Sequence, residues 1–284
     1  MITKRIRSCP PPVLALMWLA GATSVASAQE SAVVTTKTDQ EGRWKEARSR
    51  VDKLQAGVKV KDQLSPLTFS REPIFAFTDP TRAENGGTLW LIGTEGRPQA
   101  ILSLFLTSTE AHWTYEFTSL TAEPLLIEKP DDWQWKPNRS GLTLNDFAKT
   151  EPPAETAAGR LVQMKRLARD FSATEIYFDA SQTELRLLPQ PLLRYTDARQ
   201  GIVDGVIFAF AHGTNPEILL LIETGKFNQE TSGWRYGAAR MAAAEVRLRL
   251  GPTEVWTAEG VRQNAHESPY CSFGEKQAIA KPLK

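Results

Sequence analysis

The chain has 284 residues, with 34 lysines and arginines against 33 aspartates and glutamates, so neither sign gives an electrostatic footprint for nucleic acid or an anionic lipid surface. Hydrophobic residues make up 41% and charged residues 24%, an ordinary globular balance. Two cysteines, Cys9 and Cys271, can supply neither a disulfide framework nor a cysteine-based zinc site.

Lys4, Arg5 and Arg7 precede a short apolar stretch, Val13 to Ala20, and then small residues run to Ala28, where Ala26-Ser27-Ala28 fits the small-x-small rule. This is the layout of a secretory signal peptide over residues 1–28, cleaved before Gln29. The apolar stretch is shorter than the ~18–20 residues a membrane span needs. Cys9 lies ahead of it, where no lipid anchor would form. The expected mature chain is exported (periplasmic or extracellular), carries no membrane span and has 31 basic against 33 acidic residues. Cys271 is then without an intramolecular partner and reads as a free thiol or an adventitious dimer link.

Residues 29–39 lack an apolar period and read as a disordered segment. Residues 40–128 form the first of two expected units. It opens on a helix whose stripe is Trp44, Ala47, Val51 and Leu54. Residues 129–156, with Pro130, Pro137, Pro152 and Pro153, read as a linker or surface excursion. The second unit, 157–260, opens on Leu161, Met164, Ala168 and Phe171 with the same spacing, and 261–284 reads as a disordered tail. Beyond the helices the halves correspond at a shift of 118: Phe77-Thr78-Asp79 answers Tyr195-Thr196-Asp197, and Leu67–Leu106 shares seven identities in forty positions with Leu185–Thr224. Trp113-x-Tyr115 and Trp135 match Trp234-x-Tyr236 and Trp256 at a shift of 121. The apolar runs Thr88–Ile92 and Gln99–Leu106, parted by a turn at Gly93 to Pro98, predict hairpin strands buried on both faces. His112 to Thr118 alternates, with Trp113, Tyr115 and Phe117 on one side. The expected fold is α+β: two similar helix-plus-antiparallel-sheet units, an internal duplication, sharing a core. A β-sandwich with peripheral helices is the alternative.

The stretch Leu185 to Leu192, the helix Leu161 to Arg169 and Gly213-Thr214-Asn215-Pro216-Glu217 resemble a family of uncharacterised bacterial secreted proteins. The resemblance spans roughly Leu67 to Trp256. It implies export and a shared fold, and it brings no catalytic or binding residue with it.

No phosphate loop, nucleophile elbow, metalloprotease motif or calcium loop is present, and neither a cofactor nor a metal is expected. The candidate ligand-binding residues are His112 and Glu116, four apart on the polar side of an alternating strand, with Gly233 and Gly237 at the matching places of the second half. The competing account is that this side is solvated. Thr78-Asp79 and Thr196-Asp197 read as turn residues, His212 as a polar loop residue, and Arg160, Lys165, Arg166 and Arg169 as a solvated helix face. The expected function is a non-catalytic extracytoplasmic binding module for a small molecule or an envelope component, with no nucleic-acid partner. The alternatives are a small-molecule hydrolase or lyase using acid–base groups, and a structural envelope protein.

The exported protein should begin at or within a few residues of Gln29, and intact-mass measurement checks this: a chain that retains Met1 to Ala28 contradicts it.

Overall fold

A computed structural model describes residues 37–79, 84–107, 112–227, 233–262 and 266–275, so the expected signal peptide lies outside the described residues. The first half runs α1 (Lys37–Val51), β1 (Gln55–Val60), β2 (Gln63–Pro66), β3 (Phe75–Asp79), β4 (Glu84–Ile92), β5 (Ala100–Thr107), β6 (Trp113–Ser119), β7 (Leu125–Lys129), β8 (Trp133–Trp135) and β9 (Thr143–Asp146). The second half runs α2 (Ala157–Arg169), β10 (Phe171–Ile176), β11 (Gln182–Leu187), β12 (Leu193–Asp197), β13 (Ile202–His212), β14 (Asn215–Gly225), β15 (Gly233–Arg240), β16 (Glu245–Leu250), β17 (Thr253–Ala258) and β18 (Tyr270–Gly274). Among the described residues every paired strand is antiparallel, as short connections require.

The α+β expectation is corrected. Strands hold 52% of the described residues and helices 13%, and the architecture is a β-sandwich-like fold with a curled antiparallel half-barrel sheet. The physical reason lies in what each element buries. Helix α1 gives the core Ala47 and Val51, and α2 gives it Met164, Leu167 and Ala168, while nearly all the remaining buried apolar side chains stand on strands. At about 1.5–3 kcal/mol for each fully buried large side chain, strand-on-strand packing outweighs what the two helices add. Trp44, expected in the helix stripe, is 41% exposed.

Nor are the halves two balanced units. In the first, β3–β6 make a sheet with β18, and β1, β2, β7 and β8 make a separate one. In the second, β11 pairs with β13, so all the strands β10–β17, with β9, join one nine-membered sheet. The halves do join their strands in the same order, β2-β1-β7-β8 beside β11-β10-β16-β17.

The three largest apolar clusters among the described residues follow from strand alternation. On β4 and β5, Trp90, Ile92, Leu102 and Leu104 face α1 and the small sheet. On β13 and β14, Phe208, Phe210, Leu220 and Ile222 face α2. The opposite faces meet each other: Leu89, Leu91 and Ile101 of the first half pack with Ile207, Leu219 and Leu221 of the second. This interface is the sandwich, and it explains why the apolar runs have no polar side.

The segment expected as a linker carries β8 and β9, and β9 leaves the first half to pair with β15 of the second. The segment expected as a disordered tail carries β18, which returns to pair with β6 of the first. Each half thus receives an edge strand from the other. Gly237 on β15 makes room for this, since a side chain there would strike Leu142 and Leu144 at 2.6–2.8 Å.

Cys271 lies in β18, fully buried, and burial pushes its thiol up to about 11. A dimer link through it is therefore ruled out while β18 stays paired. Alkylating reagent at neutral pH should leave native protein unmodified over hours and label Cys271 fully in denaturant, read by mass spectrometry. Rapid native labelling would show that β18 opens readily.

Candidate functional site

His112 and Glu116 are not brought together around an opening. His112 is half-buried at the start of β6, its ring lying over Gly274 of β18. Glu116 is 5% exposed, and the Tyr270 hydroxyl donates to its Oε1. Neither residue lines any of the clefts described below. The solvated account fails as well, because Thr114, Glu116 and Thr118 are all buried. Alternation put these residues on the side opposite the aromatics, and that side turns inward to the second half. Thr118 Oγ1 donates to the Arg240 carbonyl at 2.5 Å, and Arg240 lies over the Tyr270 ring at 4.7 Å. Arg240 donates onward to the carbonyls of Ala242, Ala244 and Glu259. Burial first, then the Glu116 charge, holds the Tyr270 hydroxyl well above its ordinary range. This is a polar lock under β18. Of the matching glycines, Gly237 is covered by β9 and Gly233 borders open space.

A second polar knot occupies the far end of the same interface. On β14, Glu217, Leu219, Leu221 and Glu223 alternate onto one side, so carboxylates flank the apolar centre of the sandwich. Glu223, with its side chain fully buried, accepts at Oε1 from Arg97 Nε (2.8 Å) and the Tyr195 hydroxyl (2.5 Å). Its Oε2 accepts from Arg97 Nη2 (3.1 Å) and Arg235 Nε (2.7 Å). All of its acceptor capacity is used. Burial, then the Glu223 charge, raises the Tyr195 hydroxyl far above its usual value. Arg97 belongs to the β4–β5 turn, whose Gly96 (φ +78°) rests against the Asp197 carboxylate. Asp197 in turn accepts from the backbone N–H groups of Arg97, Arg199 and Gln200 at 3.1–3.3 Å, the turn role read from its sequence.

Beside this knot opens a cleft of about 440 Å³, bordered by β9 and the residues after it, the end of β14 and the start of β15. Phe147, Phe227 and Trp234 give it apolar walls, and Asp146, Lys149 and Arg235 are its charged groups. Trp234 is held by its indole N–H to the Glu151 carbonyl at 3.1 Å. Arg235 reaches the cleft with its guanidinium 3.5 Å from the Phe227 ring centre. The volume falls in the range of small-molecule sites, ~300–1,000 Å³. A wider groove of about 610 Å³ runs along the solvent side of α1, and another of about 410 Å³ lies over β1 and β2. Both lack a buried ionic group in their walls. No sequence signal marked the cleft, since its residues come from segments about 90 positions apart.

Two further clusters were missed. Glu175, 1% exposed, lies 3.3 Å from His212 Nδ1, and the Tyr177 hydroxyl is within 2.8 Å of both. Arg160, expected in a solvated face, instead binds Asp204 at 2.8 Å together with Arg194. Lys165 and Arg166 do stay at the surface, reaching Gln190 and Glu151. Among the described residues no group of three histidines, cysteines or carboxylates could hold a metal ion, and no helix is long and apolar enough to cross a membrane.

Compared with protein-family profiles, with characterised proteins and with solved structures, the chain matches none.

For Asp204, burial alone would raise the carboxyl, but hydrogen bonds from Arg194 and then Arg160 outweigh it and hold it below its ordinary value of 3.8. A lowered folded-state value stabilises the protein above the unfolded-state value, ~3.9, and that stability is lost as pH falls through the folded one. Thermal melts should therefore weaken progressively below about pH 4, and Asp204→Asn should flatten that slope while costing about 1–3 kcal/mol at pH 7. An unchanged slope would place the acid sensitivity elsewhere.

Proposed function

We propose that the protein is an exported, non-catalytic binding module that holds a small molecule in the cleft beside β9 and β15. The observation that carries this reading is the contrast between that cleft and the buried acids. The cleft has aromatic walls, charged groups and room for a ligand. The carboxylates of Glu116, Asp197, Asp204 and Glu223 are each held by a tyrosine, an arginine or backbone N–H groups. A general acid or base must reach a substrate, and these are spent on structure. Export follows the signal layout and the resemblance of the second half to secreted proteins.

A small-molecule library screened by thermal shift and native mass spectrometry tests this, with Ala148→Trp as a cleft-filling control. Ala148 is exposed at the cleft border, so the bulk enters the opening rather than the core. A ligand present at 100 times its Kd adds about 2.7 kcal/mol, which moves the melting temperature by roughly 2–4 °C per kcal/mol in a chain of this size. The expected result is at least one compound that stabilises the wild type and leaves Ala148→Trp unshifted. Compounds that stabilise both equally put the site elsewhere, and a compound recovered chemically changed overturns the non-catalytic reading.

One observation favours a second reading, the hydrolase or lyase. The Glu175–Tyr177–His212 cluster pairs a partly exposed imidazole with a buried carboxylate, an arrangement suited to acid–base work. On that reading turnover of a screened compound disappears in His212→Gln, while binding in the cleft is untouched.

A further inference from the structure

We infer that the cleft beside β9 and β15 is an anion-selective site, taking a ligand that carries a carboxylate, sulfonate or phosphate on an apolar or aromatic body, with Arg235 as its anchor. This rests on reading the cleft as the binding site. The argument starts from charge. The side chains of Arg97, Glu223 and Arg235 are 7%, 0% and 14% exposed, and a single carboxylate sits between two guanidiniums. Two positive charges against one negative leave a net positive charge at a nearly dry position, where the field is weakly screened. Asp197 meets Arg97 at its backbone N–H, and the Asp197 charge is offset by Arg199 at 3.8 Å, so the surplus stays with the two guanidiniums on Glu223. Asp146 stands opposite Arg235 in the β9–β15 register without an ion pair to it, and Lys149 on the same border offsets its charge.

The second strand of the argument is donor count. A guanidinium has five N–H donors. Arg235 uses Nε on Glu223, and no acceptor among the described residues engages its Nη groups. Its plane is fixed by Phe227 at 3.5 Å and its axis by Glu223, so the unused donors are held in place before any ligand arrives. A preset fork beside an opening matches the two oxygens of a carboxylate or the face of a sulfonate or phosphate. Phe227, half-buried beside Arg235 at the cleft border, would then lie along the apolar body.

The test compares 2-naphthoate with its neutral analogue 2-naphthamide, by calorimetry and tryptophan fluorescence, on wild type, Arg235→Gln and Ala148→Trp. The expected result is naphthoate bound at least tenfold tighter than naphthamide by wild type, the preference falling to within twofold in Arg235→Gln, and both probes lost in Ala148→Trp. Equal affinity for the two probes in wild type, lost in Ala148→Trp, keeps the cleft as a binding site and overturns anion selectivity. Naphthoate binding indifferent to both substitutions puts its site elsewhere and overturns the proposal. Absence of binding by either probe up to millimolar concentration overturns it too. Because Arg235 also holds Glu223, Arg235→Gln could unfold. In that case Arg235→Lys, which keeps the charge and loses the fork, should weaken naphthoate several-fold and naphthamide not at all. An unchanged naphthoate affinity in that variant overturns the role of Arg235.

Discussion

A strand at the border of a buried interface carries a row of N–H and C=O groups that must be paired or covered. In this protein β6 and β15 are such borders, and each is closed by a strand from the opposite half, β18 and β9. Neither half can complete its inner sheet from its own contiguous chain. The sandwich and the cleft both depend on that exchange. The cleft exists where β9 runs past the end of β15, so the strand that completes the sheet also supplies half the walls of the candidate site. The reciprocal strand brings Tyr270 under the sandwich, where its hydroxyl meets Glu116.

The exchange is held by polar groups at the two ends of an apolar interface. Leu219 and Leu221 fill the centre, while Glu217 and Glu223 stand at the ends of the same face of β14. Burying a carboxylate is costly unless its lone pairs are filled and its charge is matched. Glu223 meets that demand with four donors from three residues. Such a knot adds little net stability over an apolar core, but a shifted sheet would strand the charge, so it specifies how the sheets meet. The surplus cation it leaves is what gives the neighbouring cleft a chemical character.

Part of this was legible in the sequence. The turn role of Asp197 followed from an aspartate between a strand and a glycine-containing turn. The aromatic side of His112 to Thr118 was read correctly as core, with Tyr115 and Phe117 fully buried. Its other side was not legible. Thr114, Glu116 and Thr118 look like a solvated face because periodicity reports which side of a strand a residue takes and carries no word of what will cover it. His112 and Glu116 were paired by spacing along one strand. The clusters that formed instead join residues far apart in the chain: Arg97 with Glu223, Glu116 with Tyr270, Glu175 with His212.

The sequence by itself determined the apolar runs of β4, β5, β13 and β14, the core side of β6 and the stripe of α2, because each depends on near neighbours and a fixed repeat of the backbone. Only the tertiary structure decided that the chain is a β-sandwich rather than a balance of helix and sheet, since that turned on which faces bury each other. It alone decided the destination of β9 and β18, which are short, polar in part and without a strong pattern of their own. And it alone brought Arg235, Phe147 and Trp234 to one opening. An edge strand is chosen by the vacancy it fills, and the vacancy is made by residues elsewhere in the chain.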